Sequence, residues 1–276
     1  MGSTPFPPPG LPSLPSGVRL VREELVDGTT PVPIADHPGW RTLFPWLVQG
    51  VTGRGEDAGP ADFALVGGGP VSDVHRRWME LIRVVSMQRA VLGRQVHGNV
   101  VRFHREGAVG IEIVPATDGH VTRTKGVLLG VTVADCVPVT IVDADRRAVA
   151  VVHAGWRGTA SGALEEGLVV LAERLGSRPS DLHVHLGPAI CGSCYEVGPE
   201  VHEALGLARP EEPKPVDLRA VLARRALAAG VAEDHLTVSA WCTLCGESPF
   251  FSHRGGDAMR HLAFAGPRLG LPAGGG

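Results

Sequence analysis

Three residues far apart in the chain, His97, Cys136 and His153, share a setting. Each closes or follows a strand-like apolar run and stands next to Gly, Asp or Ala. Two imidazoles and one thiolate form a three-ligand zinc set with an open fourth position, the arrangement of a catalytic rather than a structural zinc. A water in that position would have its pKa lowered towards neutrality. A plainer alternative makes His97 and His153 hydrogen-bonded turn residues and Cys136 a small buried thiol. A further reading needs no metal: Cys136 is a nucleophile and His153 its base, as in thiol hydrolases. Sequence spacing does not separate these readings, because each demands only closeness in space.

Several neighbours could complete such a site. Asp118 and Asp135 could orient a ligand histidine or serve as acid and base; before a glycine, Asp118 also suits an ordinary turn. Gln95, two residues before His97 on an expected strand, would share its side and could hydrogen-bond a polar substrate. Arg157 lies in the turn Gly155-Trp156-Arg157-Gly158 at a helix start, where amides and a guanidinium suit phosphate. Its bland alternative is an ion pair with Glu165 or Glu166. Arg254 and Arg260 could close over an anionic or ribose-bearing substrate, or lie on the surface. Cys191-x-x-Cys194 and Cys242-x-x-Cys245 form two loop-borne pairs, a zinc-ribbon-like signal for a second, structural zinc if the loops meet. Otherwise Cys191 and Cys194 simply pack beside Tyr195.

The elements that must position these residues can be read from apolar period. Strands are expected at Val18 to Val26, Leu43 to Thr52, Arg89 to Gly98, Val100 to His104, Gly110 to Val114, Gly126 to Val133, Val137 to Val142, Ala148 to Val152, Leu182 to Leu186 and Leu236 to Trp241. Asp62 to Val66 is a short apolar run after a polar Gly/Asp loop. Asp118-Gly119 begins a loop. Helices are expected from Ser72 or Asp73 to Ser86 with Val74, Trp78, Leu81, Ile82 and Val85 on one face. Another starts at Thr159 or Ser161, with Leu164, Leu168, Leu171 and Leu175 on one face. Further helices are expected at Glu200 to Leu207, Asp217 to Ala229 and Asp257 to Ala265. No internal repeat is visible.

The 276 residues are read as one domain over 18–271 behind a disordered Pro- and Ser-rich tail at 1–17, with a frayed end at 272–276. Hydrophobic content of 43% is enough for a sizeable core, and a net charge of −3 without any basic run argues against a nucleic-acid partner. No apolar stretch is long enough for a membrane span. The N-terminus lacks a signal peptide's charged start and apolar core, so a cytoplasmic location is expected, as a monomer or homodimer. Without export, the five cysteines favour metal binding or catalysis over disulfides.

Six segments then occur in order: Gln95-Val96-His97-Gly98, Ala134-Asp135-Cys136-Val137-Pro138, His153-Ala154-Gly155-Trp156-Arg157-Gly158, Gly187-Pro188-Ala189-Ile190, Tyr195-Glu196-Val197-Gly198 and Phe251-Ser252-His253-Arg254. By these, from about Leu43 to Leu269, the chain closely resembles the laccase-domain or multicopper polyphenol oxidoreductase family. Members are described as purine nucleoside phosphorylases with adenosine deaminase activity. The resemblance implies an α/β (α+β) fold with layered α/β/β/α mixed sheets, similar to the cytotoxic-necrotizing-factor type of thiol hydrolase. It puts the metal ligands on His97, Cys136 and His153, with zinc, or else copper, as cofactor. It implies phosphorolysis of adenosine, inosine, guanosine and methylthioadenosine to free base and ribose 1-phosphate, and deamination of adenosine at C6. Phosphate would be held by Arg157 and Arg254, and a proton moved by Asp118, Asp135 or Glu196. Some relatives are described as peptidoglycan-editing factors, which implies a Cys136–His153 hydrolase of cell-wall precursors as the alternative. An oxidase with several coppers would need many histidine ligands; only two candidates are present here. Where the family carries a second arginine after Arg254, this chain has Gly255.

Overall fold

A computed structural model describes residues 14–26, 32–55, 61–64 and 70–270. Two seven-stranded sheets lie face to face, with helices on both outer sides. The first sheet runs, edge to edge, Arg19–Val21, Leu236–Ser239, Leu182–Leu186, Val137–Asp143, Ala148–Ala154, Gly119–Thr122, Val101–His104. The second runs Glu24–Leu25, Ile34–Asp36, Leu47–Thr52, His261–Pro267, Val127–Val133, Arg89–Gly93, Gly110–Val114. Both mix parallel and antiparallel pairs.

Strand alternation explains the layers. Val149 and Val151 of the first sheet meet Leu129, Val131, Val133, Ala263 and Ala265 of the second across the central core. Their neighbours Ala148, Ala150 and Val152 turn outward onto Leu164, Leu168 and Leu171 of the helix Ala163–Leu175, while the helix Leu218–Ala228 covers the strands Leu182–Leu186 and Leu236–Ser239 on the same side. On the other outer face, Leu92, Leu128, Leu262 and Phe264 pack against Val74, Trp78, Leu81 and Ile82 of the helix Val71–Val84. Strands covered on both faces read as continuous apolar runs. All seven residues of Ala148–Ala154 are buried accordingly. The architecture is the expected layered α/β/β/α arrangement. No helix among the described residues is long and apolar enough to cross a membrane.

Several local expectations are corrected. The helix expected at Asp257 to Ala265 is instead the strand His261–Pro267, fully buried between Leu47–Thr52 and Val127–Val133. Its large residues Leu262 and Phe264 face the outer helix and its small Ala263 and Ala265 face the other sheet. The alternation is of size rather than polarity, so it was invisible to a polarity pattern. Residues 18–26 form two strands, one in each sheet, with the chain crossing at the buried Glu23. Its carboxylate accepts from Ser239 Oγ at 2.8 Å and lies 2.8 Å from His185 Nε2. Gly119–Thr122 is a strand, not a loop. The Ala163–Leu175 helix starts after Gly162, so neither Thr159 nor Ser161 caps it. Residues 1–13 of the expected tail lie outside the described residues, while Leu14 already packs on the core. Residues 56–60 of the polar loop, 65–66 of the short apolar run and the 272–276 end also lie outside them.

One topological pattern governs the site. Three times in succession the chain passes from the second sheet to the first: from Arg89–Gly93 to Val101–His104, from Gly110–Val114 to Gly119–Thr122, and from Val127–Val133 to Val137–Asp143. The three departing strands are mutually parallel neighbours, so their carboxyl ends lie at one edge. The three crossings therefore emerge together, and they carry His97, Asp118 and Cys136 in turn. Carboxyl ends of parallel strands are where α/β sheets commonly bind ligands.

Candidate metal centre

His153 joins these crossings from the end of Ala148–Ala154, where it pairs with Pro138, two residues past Cys136. Donor atoms of His97, Cys136 and His153 all lie within 4.8 Å of one another. The imidazoles of His97 and His153 meet edge to face at 4.8 Å between ring centres. His153 forms the buried floor, Cys136 is half-buried, and His97 stands exposed at the rim.

Asp118 organises the group from behind. It is fully buried. Its carboxylate accepts from the amides of Val96, His97 and Gly98 at 3.0, 2.9 and 3.0 Å. It also lies 2.9 Å from His153 Nδ1. A carboxylate only accepts, so Nδ1 carries the proton and Nε2 is left free for a metal. Burial opposes ionisation of Asp118, but the His153 and amide hydrogen bonds outweigh it and hold the carboxyl below its usual range. The three amides also hold His97 at φ +60°, a left-handed backbone that non-glycine residues seldom adopt.

The thiol and imidazole of Cys136 and His153 are coupled. Burial pushes the thiol up, yet the neighbouring His153 and His97 bring it below its ordinary value. Burial lowers His153, yet Cys136 and Asp118 raise it overall. A thiolate beside a cationic or metal-bound imidazole is the favoured state. Gly155 leaves the necessary space: a Cβ there would sit 2.9 Å from Cys136 Sγ and 3.2 Å from His97 Cδ2.

Asp135 sits at φ +82° in the crossing before Cys136. Its carboxylate accepts from Thr243 Oγ1 at 2.6 Å and from the Arg254 amide at 2.6 Å, while its carbonyl accepts from the Ile190 amide at 3.1 Å. It thus ties three loops to the site. The Arg254 guanidinium donates to the Glu196 carbonyl at 3.0 Å and lies 5.3 Å over the Tyr195 ring. Arg157 is exposed and lies 4.2 Å over its neighbour Trp156. Glu165 is instead paired with Arg225.

Gln95 departs from expectation. Its strand ends at Gly93, so the alternation that would align it with His97 does not hold. Its side chain donates to the Thr132 carbonyl at 2.9 Å and accepts from the Thr132 amide at 2.8 Å and hydroxyl at 3.0 Å. Arg260 likewise turns inward, donating to the carbonyls of Asp257, Ala258 and Met259. Tyr195, named in the sequence only within a family segment and beside the cysteines, also lies near the site: burial and the nearby Cys136 push its phenol up to about 12, with Arg254, Asp135 and Arg157 also acting on it. The signal was present: it is the chain's one tyrosine and it follows a Cys-x-x-Cys pair. Thr243 carried no such signal.

Comparison with known proteins places the chain in a family. A family model described as multi-copper polyphenol oxidoreductase laccase matches residues 63–265, which include all three candidate ligands. Purine nucleoside phosphorylase YlmD of Geobacillus stearothermophilus is 37% identical over 251 residues, 82% of this chain and 92% of that protein. Adenosine deaminase RL5, from an unknown prokaryotic organism, is 35% identical over 187 residues, 62% of this chain and 71% of that protein. The crystal structure of the Geobacillus YlmD superposes with a TM-score of 0.78 at 30% identity, covering 89% of this chain and 99% of the other. That of the Bacillus licheniformis hypothetical protein YfiH superposes with a TM-score of 0.79 at 25% identity, covering 87% and 97%. The chain belongs to the multi-copper polyphenol oxidoreductase laccase family.

Proposed function

We propose that the protein is a zinc-dependent enzyme of purine nucleosides, which splits adenosine, inosine, guanosine and methylthioadenosine with phosphate and also deaminates adenosine. The observation that carries this reading is the convergence of His97, Cys136 and His153 within 4.8 Å, with Nδ1 of His153 held by Asp118. Two relatives named as a purine nucleoside phosphorylase and an adenosine deaminase support it. The donor set fits zinc, and it is too small for the several coppers of an oxidase. Bound there, zinc supplies a Lewis acid and a position that acidifies water.

The chain's own residues divide the remaining work. Asp118 fixes the tautomer of His153 and the backbone of His97, and acts as a positioning residue. Asp135 has both carboxylate oxygens engaged by Thr243 and Arg254, so it too positions rather than shuttles protons. Tyr195 stays protonated at neutral pH and can donate to a substrate oxygen or ring nitrogen. Arg157 and Arg254 give an exposed cationic rim for phosphate.

The second reading is a cysteine hydrolase of cell-wall precursors. The alignment of Asp118, His153 and Cys136, with the thiol lowered and the imidazole raised, favours it. A dyad has no need for the strained His97, whereas a metal centre does. The deciding experiment incubates zinc-loaded enzyme with adenosine and inosine, with and without phosphate. Free base, ribose 1-phosphate and inosine are expected, and His97→Ala and Cys136→Ser should abolish them. If none of these products forms, the nucleoside reading fails. Full activity without metal, lost on alkylation of Cys136, would favour the hydrolase.

A further inference from the structure

The two Cys-x-x-Cys loops, 51 residues apart in the chain, meet in space. A parallel bridge pairs Ala189 with Cys242, and the Thr243 amide donates to the Ala189 carbonyl at 3.2 Å. The sulfurs of Cys191, Cys194, Cys242 and Cys245 all lie within 4.8 Å of one another, and all four cysteines are free. Cys191 Sγ and Cys245 Sγ are 3.8 Å apart. A tetrahedron with zinc–sulfur bonds of about 2.3 Å has edges of about 3.8 Å. A disulfide would need about 2.05 Å.

The backbone is built around sulfur as well. The amides of Cys191, Leu244 and Cys245 point at Cys242 Sγ at 3.2, 3.4 and 3.4 Å. Three donors on one sulfur stabilise its thiolate. Cys242-Thr243-Leu244-Cys245 closes on Gly246 at φ +75°, the left-handed position that lets the turn fold its amides back. Cys191 begins a single tight helical turn, Gly192–Cys194, that brings Cys194 to the same side. Cys242 is buried and Cys245 exposed, so an ion can enter from solvent. Four thiolates in a tetrahedron suit zinc.

We propose that Cys191, Cys194, Cys242 and Cys245 hold a structural zinc ion, separate from the His97–Cys136–His153 centre, that staples together two walls of that centre. The staple is close to the chemistry on both sides. Tyr195 directly follows Cys194, and Thr243, between Cys242 and Cys245, donates to Asp135 beside Cys136.

The test is metal quantification on the full chain purified under reducing conditions without chelator. About two zinc ions per chain are expected, about one in His97→Ala and about one in the Cys191→Ser/Cys245→Ser double variant. Because His97→Ala leaves the four thiols intact, failure of the nucleoside reading and failure of this one are distinguishable. Should the double variant not fold, wild-type protein still decides. Cobalt substitution of the His97→Ala variant should give the intense visible bands and sulfur charge transfer of a tetrahedral tetrathiolate. Zinc-loaded His97→Ala should leave Cys136 open to alkylation but protect the other four thiols until a strong chelator is added. Removing this zinc should lower the melting temperature and raise KM more than it lowers kcat, through Tyr195 and Thr243. No zinc retained by His97→Ala, iron in its place, a disulfide among the four cysteines, or four thiols freely alkylated in metal-loaded protein would each overturn the proposal.

Discussion

Asp118 holds His153 twice: the carboxylate lies 2.9 Å from Nδ1, and the backbone carbonyl accepts the His153 amide at 2.7 Å. The two strands that carry them are antiparallel neighbours, Gly119–Thr122 and Ala148–Ala154. The same carboxylate gathers three amides of the His97 turn. One buried residue therefore sets both imidazoles relative to the sulfur. Asp118→Asn keeps the shape but offers one acceptor oxygen where four donors converge two to each oxygen, so two donors lose their partner. Zinc affinity is expected to fall about 10- to 100-fold, and stability by about 1–3 kcal/mol. Competition titration against a zinc-binding dye reads the first, and urea unfolding of the metal-free protein the second. Unchanged affinity would mean that the histidines hold their places without it.

Gly155 tests how tightly the centre is packed. Its φ of −73° is open to any residue, so only space requires glycine there. Gly155→Ala puts a Cβ 2.9 Å from Cys136 Sγ and 3.2 Å from His97 Cδ2, so a ligand must move. Zinc content after dialysis should drop while the fold loses about 1–3 kcal/mol or less. Gly176→Ala is the control. It has open space but φ +69° at the end of a helix, and should cost about 1 kcal/mol without touching the metal. Equal zinc content in Gly155→Ala and wild type would show that the sulfur has room to yield.

Most strands were legible because apolar runs bounded by turns read directly as buried strands, whereas the layered α/β/β/α arrangement came from the family resemblance. What stayed hidden was pairing across distance. Asp118, a candidate to orient a ligand histidine that also suited a turn before glycine, opens a strand whose position is fixed only by its neighbour Ala148–Ala154. His261–Pro267 looked helical because Leu, Ala and Phe favour no period when both faces are buried. The threefold crossing between sheets repeats a path, not a sequence, so no internal repeat could announce it. The meeting of Cys191 with Cys242 depends on one isolated bridge, which no local pattern encodes.

Gln95, a candidate to hydrogen-bond a polar substrate, has its side chain engaged within the fold. Its carboxamide makes three hydrogen bonds with Thr132, locking the His97 turn to the strand that delivers Cys136. Gln95→Ala should therefore cost about 1–3 kcal/mol of stability. Zinc should dissociate faster, while KM for nucleoside, measured at saturating zinc, should stay within about twofold. A KM raised tenfold with metal affinity intact would return Gln95 to the substrate.

Acid sensitivity follows from histidines buried as neutral rings. Burial lowers His37, His120 and His261 to about 3 and His104 to about 4. In the unfolded chain each takes up a proton below about pH 6.5. Between that value and the folded one the unfolded state binds more protons. Stability is thus fully present above about pH 6.5 and is lost as pH falls towards 3. Each group adds a slope of up to about 1.4 kcal/mol per pH unit. His261 isolates one such group: its ring lies against Phe250 and Phe251, and neither nitrogen has a hydrogen-bond partner among the described residues. Replacing an unsatisfied polar ring by an apolar side chain can be neutral or stabilising. His261→Leu should match or exceed wild-type stability at pH 7.5 and lose less on going to pH 5, with about one proton fewer taken up on unfolding. Urea titrations of metal-free protein at the two pH values measure both. Parallel losses in the variant and wild type would mean that His261 does not carry its share of the acid slope.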